Sequence, residues 1–280
     1  MDRIQAAIAR ARAARDAVVG QSMAGPNPIA EQPVETAAQQ TVEANWDAMP
    51  RVDISPRVLT AARIVTREAG PMTAPFDVLR TRVTQQMRAN DWRRLCVTSP
   101  TADCGKSTVT LNLAFSLARQ DELRILVVDF DLRRPALARM LQLEQDHQIS
   151  RVLDGSAALA NHVVRLSDNL AFSTAKQAVR NPAELLQGNR VEAVLDQIDT
   201  DYAPDVVLFD LPPVMVSDDA IGFLPHADCA LMIAAAEQST IKQVDSCEQE
   251  LARQTNVLGV VLNKCDHPGG GYGYGYGSYG

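Results

Sequence analysis

Between Arg94 and Leu262 the chain alternates short apolar runs, rich in valine, leucine and isoleucine, with segments of helical period. No other feature restricts the fold as much. The runs Leu95–Thr98, Arg124–Val128, Val206–Phe209, Cys229–Ala234 and Val257–Leu262 are apolar at successive positions, and Asn169–Phe172 is a weaker sixth. A strand buried on both faces reads this way. Helices are expected at Gly105–Arg119, near Leu137–Leu141, at Pro182–Ile198 and at the amphipathic Thr240–Gln254. Strands separated by helices predict an α/β fold with a doubly wound, mostly parallel sheet, whose site lies at the carboxyl ends of the strands.

Three motifs fall at those ends. Ser99-Pro-Thr-Ala-Asp-Cys-Gly-Lys-Ser-Thr108 follows one run and opens a helix. Backbone N–H groups at such a helix start, aided by the helix dipole, hold phosphates. Thr101, Ala102, Asp103, Cys104, Gly105, Lys106, Ser107 and Thr108 are the candidate nucleotide-binding residues, with Lys106 on the β/γ oxygens and the Ser107 hydroxyl offered to Mg²⁺. The first glycine of the usual P-loop pattern is replaced by Pro100. Val127-Val-Asp-Phe-Asp-Leu-Arg-Arg-Pro135 ends the next run with Asp129 and Asp131 two residues apart, and Val206-Val-Leu-Phe-Asp-Leu-Pro-Pro-Val214 ends another with Asp210. Aspartates at a strand end are costly unless solvated or neutralised, and a Mg²⁺–ATP complex neutralises them. A solvated turn is the bland alternative for each.

The remainder divides by composition. Residues 1–19 hold an alanine-rich, arginine-studded helical arm, with Ile4, Ala7, Ile8, Ala11 and Val18 on one weakly apolar stripe; 20–50 reads as a Pro/Gln/Ala-rich linker. Residues 51–90 carry leader helices, one from Ser55 to Glu68 and one from Pro75 to Arg88; 91–265 is the nucleotide-binding domain. Residues 266–280 form a glycine-spaced tail holding Tyr272, Tyr274, Tyr276 and Tyr279, four of the chain's five tyrosines. Such a tail cannot bury enough apolar surface to offset its ordering entropy. A net charge of −7 argues against nucleic acid as a partner. The five scattered cysteines lack metal-site spacing, no signal peptide opens the chain and no run is long enough to span a bilayer, so a cytoplasmic protein is expected.

In combination these motifs resemble the cytoplasmic domain of bacterial tyrosine kinases, P-loop autokinases of capsule and exopolysaccharide export related to partitioning and septum-site ATPases. The resemblance covers roughly residues 74–265 and is extended by the tyrosine tail. SPTADCGKST resembles the family's Walker A motif, VVDFDLRRP its Walker A′ and VLFDLPPV its Walker B, while Asn181-Pro-Ala-Glu-Leu-Leu186 and Phe76-x-x-Leu-Arg-Thr81 resemble further family segments. It implies Mg²⁺ held by Ser107, Asp129 and Asp210, Asp131 as base or orienter at the attacking hydroxyl, and Arg133 on the phosphoryl oxygens or a neighbouring subunit. Tyr272, Tyr274, Tyr276 and Tyr279 would be the phosphoacceptors. Asn263, in an NKxD sequence after the last run, would lie near the base.

Also implied are a membrane co-polymerase (chain-length-determinant) activator, recruitment to the inner face of the membrane, self-association and a phosphatase. Phosphates on the tail are expected to drive it from an acidic, nucleotide-filled site. The chain departs from the family in four places, one being Cys104, where glutamate is often found. Asp103 stands where glycine is usual, so its side chain is expected to point outward. Leu211 replaces Ser or Thr in Walker B. The leader motif Glu-x-x-Arg-x-x-Arg is here Ala74, Asp77 and Arg80, which puts ring assembly in doubt. The competing readings are a regulatory ATPase of the partitioning type, which would usually carry lysine at the position of Thr101, and a nucleotide-binding scaffold with decayed chemistry.

Overall fold

The computed structural model describes residues 37–265. The chain divides into two units, Met1–Gln39 and Gln40–Gly280, and nearly all the described residues belong to the second. The arm at 1–19, most of the linker and the tail with its four tyrosines lie outside the described residues.

A seven-stranded sheet has the order β3-β4-β2-β5-β1-β6-β7, built from β1 (Arg94–Thr98), β2 (Ile125–Asp129), β3 (Val164–Ser167), β4 (Leu170–Ser173), β5 (Val206–Asp210), β6 (Cys229–Ala235) and β7 (Asn256–Asn263). All neighbours are parallel except β3 and β4. Alternate side chains divide the core into two layers. Cys96, Leu126, Val128, Phe209 and Met232 face one, and Leu95, Val97, Ile125, Val127 and Leu231 the other. The first layer includes a ring cluster of Phe130, Phe209 and Phe223 with centroids 4.7–5.3 Å apart. Burial of each ring contributes about 2–3 kcal/mol, and each aromatic pair adds roughly 1 kcal/mol. The second layer is covered by the helices Ala74–Ala89, through Val83 and Met87, and Lys106–Leu117.

Several elements differ from expectation. The C-terminal end of the expected linker is a helix, Ala37–Ala48. Trp46 is buried, its indole N–H donates to the Tyr202 carbonyl at 2.7 Å, and the Arg124 guanidinium lies 5.7 Å above its ring. Residues 50–52 then bond to Arg165 of β3, with the Arg165 amide donating to Pro50 O and the Val52 amide to Arg165 O, both at 2.9 Å, so this sheet edge is covered. The helix expected from Ser55 to Glu68 spans only Pro56–Ala61. Arg63 turns into the left-handed region, and Asn112 takes the Val65 amide at 2.9 Å while its carbonyl takes the Thr66 hydroxyl at 2.7 Å. The stretch Pro182–Ile198 is two helices, Pro182–Leu186 and Arg190–Tyr202, broken around Gly188. The antiparallel β3 was not expected, because the Asp168-Asn169 turn that joins it to β4 lies within a run too short to show a period.

Candidate nucleotide and phosphoryl-transfer site

The site is built where β1, β2 and β5 end. β1 runs into the P-loop, where the Ser99 hydroxyl donates to the Thr101 carbonyl at 2.7 Å, and the helix Lys106–Leu117 follows. Gly105 has φ +89°, and a Cβ there would lie 2.3 Å from Asn263 Nδ2, so only glycine fits. Asp103 is exposed and lines the cavity over this site, and its φ of +61° explains why a glycine would be easier at this position. Cys104 is buried, with Sγ 3.3 Å from Thr101 O and 3.6 Å from Ser239 Oγ. Burial pushes its thiol up, but hydrogen bonds with Thr101 and Ser239 outweigh burial and hold it below the usual range.

Register places Asp129 of β2 directly beside Asp210 of β5. Lys106 Nζ lies 2.7 Å from Asp131 Oδ2 and 3.6 Å from Asp210 Oδ2, and the Ser107 hydroxyl donates to Asp210 Oδ2 at 2.6 Å. Lys106, Ser107, Asp129, Asp131 and Asp210 therefore form one cluster. Burial would lower the Lys106 pKa, but the Asp210, Asp131 and Asp129 carboxylates push it up to about 12. Burial raises Asp129, and Asp210 beside it raises it further. Burial likewise raises Asp210, against the pull of Lys106 and the Ser107 hydroxyl. Asp129 also holds the following turn, its Oδ2 accepting the Ala136 and Leu137 amides at 3.1 and 3.0 Å.

A cavity of about 510 Å³ opens over this cluster. Of the candidate nucleotide residues, Ala102, Asp103, Gly105, Lys106, Ser107 and Thr108 line it, whereas Thr101, Cys104 and Asn263 do not. Asn263 instead donates its side-chain amide to the Cys104 carbonyl at 2.9 Å and so supports the P-loop from β7. Arg133 lines the cavity but is held by Asp219, with Nε 2.5 Å from Oδ2 and the second nitrogen 2.9 Å from Oδ1. The pair raises the Arg133 pKa.

Sequence reasoning missed Arg134, Arg139 and Lys264, which also line the cavity. With Arg133 they place four cationic side chains around a cavity whose floor holds the carboxylates. Arg134, beside Arg133 in the Walker A′ segment, carried a signal, but Arg139 and Lys264 carried none that separates them from surface charge. Arg80 faces inward, 3.1 Å from Ser116 O and 3.4 Å from Asp77, so it ties the leader helix to the P-loop helix within one chain.

The donors fit the groups the motifs imply. Two adjacent carboxylates, both raised chiefly by burial, with a hydroxyl beside them, are the hard oxygen ligands that Mg²⁺ takes, and a glycine-permitted loop opening a helix is a phosphate cradle.

The chain is similar to known proteins in sequence and fold. Tyrosine-protein kinase etk of Escherichia coli K12 is 31% identical over 188 residues, covering 66% of this chain and 25% of that protein. Tyrosine-protein kinase ptk of Acinetobacter johnsonii is 30% identical over 181 residues, covering 64% and 24%. The matched region thus spans about a quarter of these curated relatives. Among solved structures, the VpsO kinase domain is 27% identical with a TM-score of 0.62, covering 75% of this chain and 97% of that one. The kinase domain of the E. coli tyrosine kinase ETK (24% identity, TM-score 0.64, covering 85% and 100%) has the same fold. Residues 95–271 match the CobQ/CobB/MinD/ParA nucleotide binding domain, and the chain belongs to that family, among whose members bacterial tyrosine kinases resemble it in sequence and fold.

Proposed function

We propose that the chain is an ATP-dependent protein-tyrosine autokinase that phosphorylates Tyr272, Tyr274, Tyr276 and Tyr279 and thereby regulates exopolysaccharide polymerisation and export. The observation that carries this is the convergence of Asp131 and Asp210 on Lys106, 2.7 and 3.6 Å from its Nζ, beside Asp129 and under a cavity large enough for a nucleotide. The P-loop amides and Lys106 would hold the β- and γ-phosphates, and Ser107, Asp129 and Asp210 would hold Mg²⁺, the two carboxylates directly or through water. Mg²⁺–ATP supplies the phosphoryl group and neutralises charge on it as it transfers. Asp131 would accept the phenol proton or orient the hydroxyl; a phenol with a pKa near 10 needs such an acceptor.

Lys264, which follows β7, lines the cavity. Tyr272 is eight residues further on, about 26 Å of fully extended chain. That reach supports the tail as acceptor for its own site as well as a neighbour's. No helix among the described residues is long and apolar enough to cross a membrane, and the activator is proposed to be a membrane co-polymerase that brings the chain to the inner face.

The test is incubation with Mg²⁺–ATP and the activator's cytoplasmic segment, followed by mass spectrometry of the tail beside a Lys106→Met control. Phosphotyrosine that depends on Lys106 is expected. ATP hydrolysis without phosphotyrosine would instead indicate a regulatory ATPase.

A further inference from the structure

The Asp219 carboxylate is 1% exposed and lies nine residues after Asp210, at the start of the helix Asp218–Phe223. Both of its oxygens are used. Oδ2 accepts from Arg133 Nε and from the Ser217 hydroxyl at 3.1 Å, and Oδ1 accepts from the second Arg133 nitrogen. Arg133 provides the one ion pair to this buried charge among the described residues, and the paired, planar geometry fixes the guanidinium in orientation as well as position.

The other side of Arg133 leads to the reacting groups. One residue, the fully buried Leu132, separates it from Asp131. The Leu132 carbonyl accepts from the Val179 amide at 3.0 Å, and the Arg134 amide donates both to Asp131 O and to Asp131 Oδ1 at 3.1 Å. The 131–134 turn can therefore move only as a unit, and its outer end is held by Asp219. Ser217, which donates to Asp219, lines the same cavity on the loop that follows Asp210. A single carboxylate thus joins the loop after β2, which carries Asp131, to the loop after β5, the strand that ends in Asp210.

We infer that Asp219 is a positioning residue: through Arg133 it sets the place of Asp131 beside Lys106 without itself touching nucleotide or acceptor. The inference rests on the proposed phosphoryl transfer. Asp219→Asn keeps the shape but loses the charge and one acceptor oxygen, so it lowers kcat roughly ten- to hundredfold, the scale of a misplaced reacting group, while KM for ATP and the affinity for Mg²⁺–ADP stay within about twofold. Asp219→Glu retains the ion pair and recovers most of the rate. Because Asp219 acts through Arg133, Asp219→Asn costs nothing more in an Arg133→Ala background.

The measurement uses the full chain with Mg²⁺–ATP and the activator's cytoplasmic segment and follows phosphate release and tail phosphotyrosine together, with Mg²⁺–ADP binding as the check on folding. Equal losses of Mg²⁺–ADP affinity and kcat, no rescue by Glu, or an undiminished effect in the Arg133→Ala background would each overturn the inference. A wild-type chain that releases phosphate without forming phosphotyrosine defeats the kinase reading alone, and the Asp219 comparison then runs on phosphate release. A wild-type chain with no turnover of ATP defeats both.

Discussion

Two charged networks adjoin the helix Lys106–Leu117. At its N-terminal end three carboxylates, Asp129, Asp131 and Asp210, face the single ammonium of Lys106, and all four groups are buried. Along its length one carboxylate, Asp77, faces two guanidiniums, Arg80 and Arg119, and all three are partly exposed. The second network joins two helices, and its one excess positive charge is partly open to solvent, where water screens it. The first sets three carboxylates against one ammonium, all buried beneath the cavity, so a cation from outside would complete it. Charge left uncompensated by the fold is the mark that separates a binding site from a tie between elements.

Lys106→Met removes the one internal cation and tests this most strongly. Turnover should fall by about 10² to 10³, roughly 3–4 kcal/mol of transition-state stabilisation; a variant within tenfold of the parent by phosphate release would place the chemistry elsewhere. Asp210→Asn comes next. Affinity for Mg²⁺–ADP should drop about tenfold to a hundredfold, the scale seen when metal-site partners are lost. Without Mg²⁺ the same variant should melt at a higher temperature than the parent, because Asp129 no longer faces a second buried charge. Thermal scans with and without the metal read both effects, and a lower melting point in both conditions would mean that Asp210 serves structure first.

The leader network should respond differently. Asp77→Asn is expected to destabilise the fold by about 1 kcal/mol, with nucleotide affinity unchanged. Burial raises the Asp77 pKa, but the Thr73 hydroxyl and Arg119 outweigh it and hold the carboxyl below its ordinary value. A depressed native pKa gives stability that is present above the unfolded value, near 3.9, and is lost as pH falls through the native one. The gap between parent and variant in a series of melts should therefore close below about pH 4, and a gap that stays constant into acid would exclude the ion pairs as its source. The smallest effect belongs to Asn263→Ala. Loss of its bond to the Cys104 carbonyl should weaken Mg²⁺–ADP binding by about threefold to tenfold, on the order of 1 kcal/mol, and calorimetric titration would resolve it.

What could be read in the sequence followed from local rules. Strands buried on both faces announce themselves by continuous apolar runs, and the P-loop by residues that only a phosphate cradle requires together. Asp129 and Asp210 were legible because each ends such a run. The roles of Arg80, Asn263 and Arg133 were not, since each depends on a partner far along the chain: Ser116, Cys104 and Asp219. Charge alone does not reveal whether an arginine faces a phosphate, a neighbouring molecule or its own fold. Trp46 was hidden for a related reason, since a single aromatic in a Pro/Gln/Ala-rich stretch has no period, and its partner Tyr202 lies 156 residues away.

That tryptophan bears on how the protein can be handled. Composition suggests trimming the chain near residue 51, where the leader segment begins. Such a cut would discard the indole that fills a notch against the helix Arg190–Tyr202, orphan the Tyr202 carbonyl and take Glu43 from Arg124. It would also unzip Pro50 from the β3 edge and leave a raw strand open to other molecules. A shortened version made for crystals or assays would tend to clump, and its poor behaviour could be mistaken for a defect in the enzyme.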